Sequence, residues 1–245
     1  MNLSGNTILI TGGASGIGLA FAERFLMAGS KVIICGRRAD KLQEVQAKYP
    51  AIQTRVCDVG QEEDRINLAK WVNQEFPDVN VLLNNAGIQR REPLTQTDQS
   101  WRYHQAEIAI NLEAPIHLSL LLLPLLKSKP LAYIINVTSG LAFAPLANAA
   151  IYSATKAALH SFTLSLRHQL AGTQVQVLEI APPAVQTDLG GTGVHTFGAP
   201  LNDFADAIMQ GLEKAEPEIG YGTSDFNRKA SRAELDEVFK RMNNH

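Results

Sequence analysis

Two periodicities alternate along this chain, and that alternation limits its fold more than any other feature. Six short apolar runs, at 7–11, 31–35, 52–59, 79–87, 131–139 and 175–182, read as buried strands. Amphipathic stretches with helical spacing fill the gaps, at 17–29, 39–49, 62–76, 98–127 and 150–170. A long helix after each strand leaves no room for hairpins. The strands must then run parallel, joined by right-handed crossovers, with helices covering both faces. The expected class is α/β, a doubly wound parallel sheet of the Rossmann type.

The pattern changes after residue 185. The stretch "VQTDLGGTGVHTFGAPLND" is glycine-rich and aperiodic. It is longer than a passive connection in a compact domain, so residues 186–204 are expected to form a substrate lid. Helical spacing resumes over 203–215. A last helix is expected over 231–242, opened by a Ser231–Glu234 capping box and striped with Leu235, Val238, Phe239 and Met242. There is no repeat, low-complexity tract or interdomain linker, and residues 1–245 read as a single domain.

Composition excludes several classes. Of 245 residues, 45% are hydrophobic, which supplies a sizeable core. Lys and Arg total 22 against 24 Asp and Glu, a balance of 22 − 24 = −2, with no basic excess for nucleic acid. Cys35 and Cys57 sit in apolar runs and read as reduced, buried thiols. No Cys/His cluster has metal-ligand spacing, so no metal site is expected. The start lacks a signal-peptide pattern. The greasiest run, "LSLLLLPLL", is half the length of a membrane span and is interrupted by Pro124. A cytoplasmic protein without nucleic-acid or membrane partners is expected.

The turn "TGGASGIG" joins the first strand to the first helix. Gly12, Gly16 and Gly18, with Ser15 and Ile17 between them, let backbone approach a pyrophosphate held at the helix N-terminus. A NAD site usually has Asp or Glu about 20 residues further on, at the ribose 2′-hydroxyl. Here that position is Gly36, followed by Arg37 and Arg38. Guanidinium in place of carboxylate favours a 2′-phosphate, hence NADP(H). Asp58 and Val59 follow the third strand and Asn85-Ala86-Gly87 the fourth, on the edge where an open sheet binds its ligand. Ser139 ends the fifth strand on the same edge. Tyr152 and Lys156 follow on one face of the next helix, just over one turn apart.

These residues, with Asn111 in "IAINL", together resemble the short-chain dehydrogenase/reductase family of the compact type, over roughly residues 5–190. The stretch "APPAVQTDL" is similar to its DltE-like bacterial subgroup. The resemblance implies hydride transfer between NADP(H) and a carbonyl/secondary alcohol substrate. It implies Tyr152 as general acid/base and Lys156 as the charge that lowers the Tyr152 pKa and holds the nicotinamide ribose. Ser139 would hold the substrate oxygen, and Asn111 would order a proton-relay water. Asn85 would lie at the adenosine ribose and Asp58 at the adenine. Pro182, Val185 and Thr187 would flank the nicotinamide, although Pro183 replaces the family's usual glycine and loses an N–H. A homodimer or homotetramer built on the long fourth-crossover helix and the Tyr152 helix is also implied. The rival reading is a catalytically silent NADP-binding regulator on the same fold.

Among the arginines, Arg37 is expected to carry the phosphate contact, with less from Arg38 and no help from Ser15. Arg90 and Arg91 read as solvated loop residues. His104, His117, His160 and His168 read as surface or packing positions, whereas the lid could bring His195 and Phe197 to substrate.

Overall fold

The computed structural model describes residues 1–244. Its sheet has seven parallel strands in the order β3-β2-β1-β4-β5-β6-β7. These are β1 Thr7–Thr11, β2 Lys31–Gly36, β3 Gln53–Val56, β4 Val81–Asn84, β5 Ala132–Val137, β6 Val175–Ala181 and β7 Glu218–Gly220. The chain starts at the centre, winds out through β2 and β3, then returns to place β4 on the other side of β1. The order therefore reverses between β1 and β4, and a crevice opens there at the strands' carboxyl ends.

Both faces are covered. Ile8 and Ile10 of β1 pack with Phe21 and Phe25 of α1 (Gly16–Met27), Leu42 of α2 (Ala39–Lys48) and Phe204 of α7 (Leu201–Glu213). Leu9, between them, faces the other side, with Leu68 and Val72 of α3 (Glu62–Glu75) and Leu166 of α6 (Ala150–Leu170). A strand with no solvated face has no use for polar residues, which is why β1 reads as an unbroken apolar run.

The long fourth crossover starts at Trp101, capped by Ser100, rather than at 98. It runs as α4 (Trp101–Ile108), one wide π turn (Ala109–Glu113) and α5 (Ala114–Lys127). Pro115 explains the wide turn. It has no N–H to give to the Asn111 carbonyl, and Ala114 N–H bonds back to Ala109 C=O instead. By length and composition this helix is apolar enough to cross a membrane. Leu118, Leu122 and Leu126 are nevertheless buried with α3 and β5, the packing of a core helix.

Three differences from the sequence expectations are local. β3 stops at Val56 because the Asp64 carboxylate takes the Asp58 N–H at 2.8 Å. A seventh strand, β7, adds to the six expected. A short helix α8 (Thr223–Lys229) follows Gly222, whose φ is +54°. The last helix α9 (Arg232–Asn243) has the expected capping box. Asn243 accepts from Ala147 N–H at 2.6 Å and donates to Pro145 C=O at 3.1 Å, so the end of α9 is fastened to this chain's own β5–α6 connection.

Candidate active site

The crevice at the switch point opens into a cavity of about 1500 Å³. Its floor is a hydrogen-bonded junction between the glycine turn and the end of β4. Asn85 and Ala86 N–H both donate to Thr11 Oγ1 at 3.0 Å, and Asn85 Nδ2 donates to Thr11 C=O at 3.0 Å and Gly12 C=O at 3.3 Å. The approach is too close for side chains. A Cβ on Gly12 would lie 2.9 Å from Ala86 Cα, and one on Gly18 would lie 2.4 Å from both Gly12 C=O and Asn85 Nδ2. Gly12 also has φ +66°, which favours glycine.

Ser15 does not cap α1 with its side chain. Its hydroxyl accepts from Arg38 Nη2 at 2.8 Å. The amides of the first turn are thus left to whatever enters the cavity beside Gly16, Ile17 and Gly18, as an anion site requires. Arg37 and Arg38 both line the cavity, but Arg38 is the arginine joined to the glycine turn, contrary to the expectation that the pair acts without it. These donors and the bare backbone fit a dinucleotide phosphate group. Asp58 and Val59 line the same end, and the Asp58 carboxylate accepts from Gly60 N–H at 3.0 Å.

Ser139, Tyr152 and Lys156 converge at the other end. Ser139 leaves β5 as the cap of a short turn, accepting from Leu141 N–H at 3.1 Å. Tyr152 lies in the first turn of α6 and is buried. Lys156 Nζ donates to Val137 C=O at 2.8 Å and sits 5.6 Å from the centre of the Tyr152 ring. Burial decides both pKa values. It pushes the Tyr152 hydroxyl up to about 12, against a downward pull from the Ser139 hydrogen bond. It pulls Lys156 down to about 8. The expected lowering of the Tyr152 pKa by Lys156 is therefore not the governing effect. Desolvation is the largest influence on the phenol, and Tyr152 holds its proton at neutral pH.

Asn111 lies behind the cavity wall rather than on it. Fully buried in the π turn, it accepts from Ile88 N–H at 2.9 Å and donates to Ile88 C=O at 2.8 Å. This two-way clamp fixes the strand-like segment after Gly87. A Cβ on Gly87 would stand 3.3 Å from Asn111 Oδ1 and 3.8 Å from Lys156 Nζ, so asparagine and lysine flank the same bare backbone. Pro182, Val185 and Thr187 line the cavity after β6. The turn around Pro183 is held without that residue's N–H: Gly140 N–H bonds Pro182 C=O at 2.8 Å, and Ala199 bonds both Ala184 and Gln186 at 2.9 Å.

One expectation about the other polar residues needs correction: Arg90 is not a solvated loop residue, whereas Arg91 is exposed in the loop after β4, as expected. The Arg90 guanidinium lies 3.5 Å over the Tyr103 ring, with Nη1 buried. Arg91 lines the cavity and bonds Gln89 and His195. His160 lies away from the reacting end, paired with the buried Glu179 carboxylate at 2.8 Å. Sequence reasoning missed Glu107, which is buried one turn before Asn111 and accepts from Arg90 N–H at 3.0 Å. Its signal was a carboxylate on the inward face of an apolar helix.

Residues 6–195 match the family described as short chain dehydrogenase. The chain is 44% identical over 248 residues to the uncharacterized oxidoreductase DltE of Bacillus subtilis, covering 99% of this chain and 98% of that protein. Among solved structures, a short-chain dehydrogenase from Burkholderia cenocepacia in complex with NADP superposes with a TM-score of 0.86 at 25% identity, covering 99% of both chains. One from Streptomyces avermitilis gives 0.82 at 27% identity, covering 98% of this chain and 95% of that one. These matches agree with the switch-point crevice, the glycine turn and the Ser-Tyr-Lys convergence: the chain belongs to the short-chain dehydrogenase family.

Proposed function

We propose that this protein transfers hydride between NADP(H) and a carbonyl/secondary alcohol pair, with Tyr152 as general acid/base. The carrying observation is that one cavity holds the glycine turn and two arginines at one end and Ser139, Tyr152 and Lys156 at the other. The B. cenocepacia relative's complex with NADP supports the cofactor. When bound, the nicotinamide cofactor supplies or accepts the hydride. Ser139 donates a hydrogen bond to the substrate oxygen and holds it beside the Tyr152 hydroxyl. Tyr152 then gives that oxygen its proton, for which a pKa of about 12 keeps it loaded at neutral pH. Lys156 holds positive charge beside the phenol and offsets the negative charge left on it. Asn111 fixes the Ile88 backbone on which that lysine's environment depends.

On this reading residues 1–245 act as a single dinucleotide-binding domain, and 186–204 form the substrate lid. Free, buried Cys35 and Cys57 suit a reducing cytoplasm. Leu120 of α5 and Leu164 of α6 are exposed on the two helices that would pair in a homodimer or homotetramer.

The test is NADPH consumption with a panel of activated ketones, run with wild type and Tyr152→Phe together. General acid catalysis contributes ~10²–10⁴ in rate, roughly 3–5 kcal/mol of barrier. The Phe variant should lose that factor and bind NADPH as before. Undiminished turnover by Tyr152→Phe would remove the tyrosine from the mechanism. NADPH binding with no ketone consumed by wild type would favour the silent regulator.

A further inference from the structure

Arg91, exposed in the loop after β4, lines the cavity and is bonded by neutral partners. Its Nε donates to Gln89 Oε1 at 3.1 Å and its Nη2 to His195 Nε2 at 2.8 Å. A guanidinium only donates, so His195 Nε2 is the acceptor and the ring is neutral, with its hydrogen on Nδ1. Burial and the adjacent Arg91 charge both hold the His195 pKa below its ordinary value, which keeps the ring in that form. Gln89 and His195 thus orient the fork without neutralising it. Among the described residues no ion pair engages Arg91, nor Arg241, which lines the same cavity from α9. By contrast, Arg24, Arg167, Arg228 and Arg232 each pair with a carboxylate.

His195 is only 5% exposed, and its Nδ1 lies buried beside the Leu189 backbone, so the ring is a fixed support for the guanidinium. Arg91 and Tyr152 line the same cavity. Leu141, Leu146, Phe226, Val238 and Met242 add apolar surface to the same cavity.

We propose that the substrate is a keto acid, or the matching hydroxy acid, with a hydrophobic body, and that Arg91 binds its anionic group while Tyr152 addresses its carbonyl. This rests on the hydride-transfer reading above. Three guanidinium N–H groups remain after the Gln89 and His195 bonds, enough for a two-point grip on a carboxylate. The neutral latch to His195 also ties lid to cavity floor, so the anion meets an arginine already in place.

The test uses calorimetry on the NADPH-bound protein. Benzoylformate, benzoylacetate and 3-benzoylpropionate set the carboxylate one, two and three bonds from the ketone carbon, and each is compared with its methyl ester. At least one acid should bind wild type about tenfold or more tighter than its ester, as one charge-assisted contact provides. Arg91→Gln should erase the difference and Arg91→Lys should keep part of it. Loosening of the lid alone would weaken acid and ester alike, so loss of both in parallel overturns the proposal. So do acids that bind no better than esters, and a preference that survives Arg91→Gln. Acid binding without NADPH oxidation would keep the anion site and sink hydride transfer. Oxidation of NADPH at equal rates with acid and ester would do the reverse.

Discussion

Arg38 Nη2 donates to Ser15 Oγ across 2.8 Å, so the end of β2 and the glycine turn are joined through side chains. Both residues line the cavity, and on the proposed NADP(H) reading the bond presents one guanidinium to the phosphate on the adenosine ribose. A charge-assisted hydrogen bond contributes roughly 1.5–3 kcal/mol, about ten- to a hundredfold in affinity. Arg38→Ala should therefore cut the NADPH-over-NADH preference by that factor, measured as the ratio of dissociation constants. Arg37→Ala should cut it less, and Ser15→Ala should lower it only when Arg38 is present. An unchanged ratio in Arg38→Ala would make the bond a surface contact and nothing more.

Gly18→Ala tests the junction beneath the cofactor. The new Cβ would stand 2.4 Å from Gly12 C=O and Asn85 Nδ2, atoms already bonded to each other. Backbone cannot yield cheaply there, and overpacking of this kind costs about 1–3 kcal/mol. Tm should fall by about 2–10 °C in a chain of this size, and NADPH binding should weaken with it. Gly172→Ala, with nothing within 4 Å of the added carbon, is the control and should leave both unchanged. Normal binding by Gly18→Ala would mean that the junction relaxes easily.

The sheet was readable because periodicity records burial: Ile8, Leu9 and Ile10 are apolar since β1 is covered on both faces. Ser139, Tyr152 and Lys156 were placed by a simple rule, that ligand-edge residues follow strand ends. β7 escaped because three residues carry no period, and α8 because seven residues after a glycine look like a loop. The Arg38–Ser15 bond was not legible for a different reason. Which of two neighbouring side chains crosses to Ser15 depends on how the turn after Gly36 is aimed, and sequence does not encode that visibly. The same holds for Arg91 and His195, which are 104 residues apart and meet only through the lid. For Tyr152, spacing shows the neighbouring Lys156 charge and hides the desolvation.

His160 and Glu179 make one pH-dependent contribution to stability. Glu179 is fully buried, accepting from Thr138 Oγ1 at 2.6 Å and bonded to His160 Nδ1 at 2.8 Å. The hydrogen bond to Glu179 raises the His160 pKa above its ordinary 6.5, against desolvation. A folded-state pKa above the unfolded one favours the fold under acid conditions. The contribution is complete below about pH 6.5 and is lost as pH rises through the folded value. His160→Phe should therefore lower Tm more at pH 5.5 than at pH 8.5. Equal losses at both would show that the ring acts through packing, including its edge contact with Phe143 at 4.8 Å, and not through charge.

Glu107 acts in the opposite sense. It is buried, and desolvation lifts its pKa from 4.5 to about 7. The groups facing it are Arg90, through its N–H and its charge, Glu92 and Lys156. Between pH 4.5 and about 7 the folded chain keeps a proton that the unfolded chain has released, so stability falls as pH rises through that window. The gap, about 7 − 4.5 = 2.5, corresponds to roughly 3 kcal/mol above the window. Gln would still accept from Arg90 N–H and carries no charge. Glu107→Gln should thus raise Tm at pH 8.5 by several degrees and change it little at pH 4.5. The Glu107 charge also raises the pKa values of both Tyr152 and Lys156. The alkaline limb of ketone reduction should accordingly move to lower pH in Glu107→Gln, because both groups give up their protons more readily. A limb that stays in place would confine Glu107 to stability, and a lower Tm at pH 8.5 would mean that its charge is welcome where it lies.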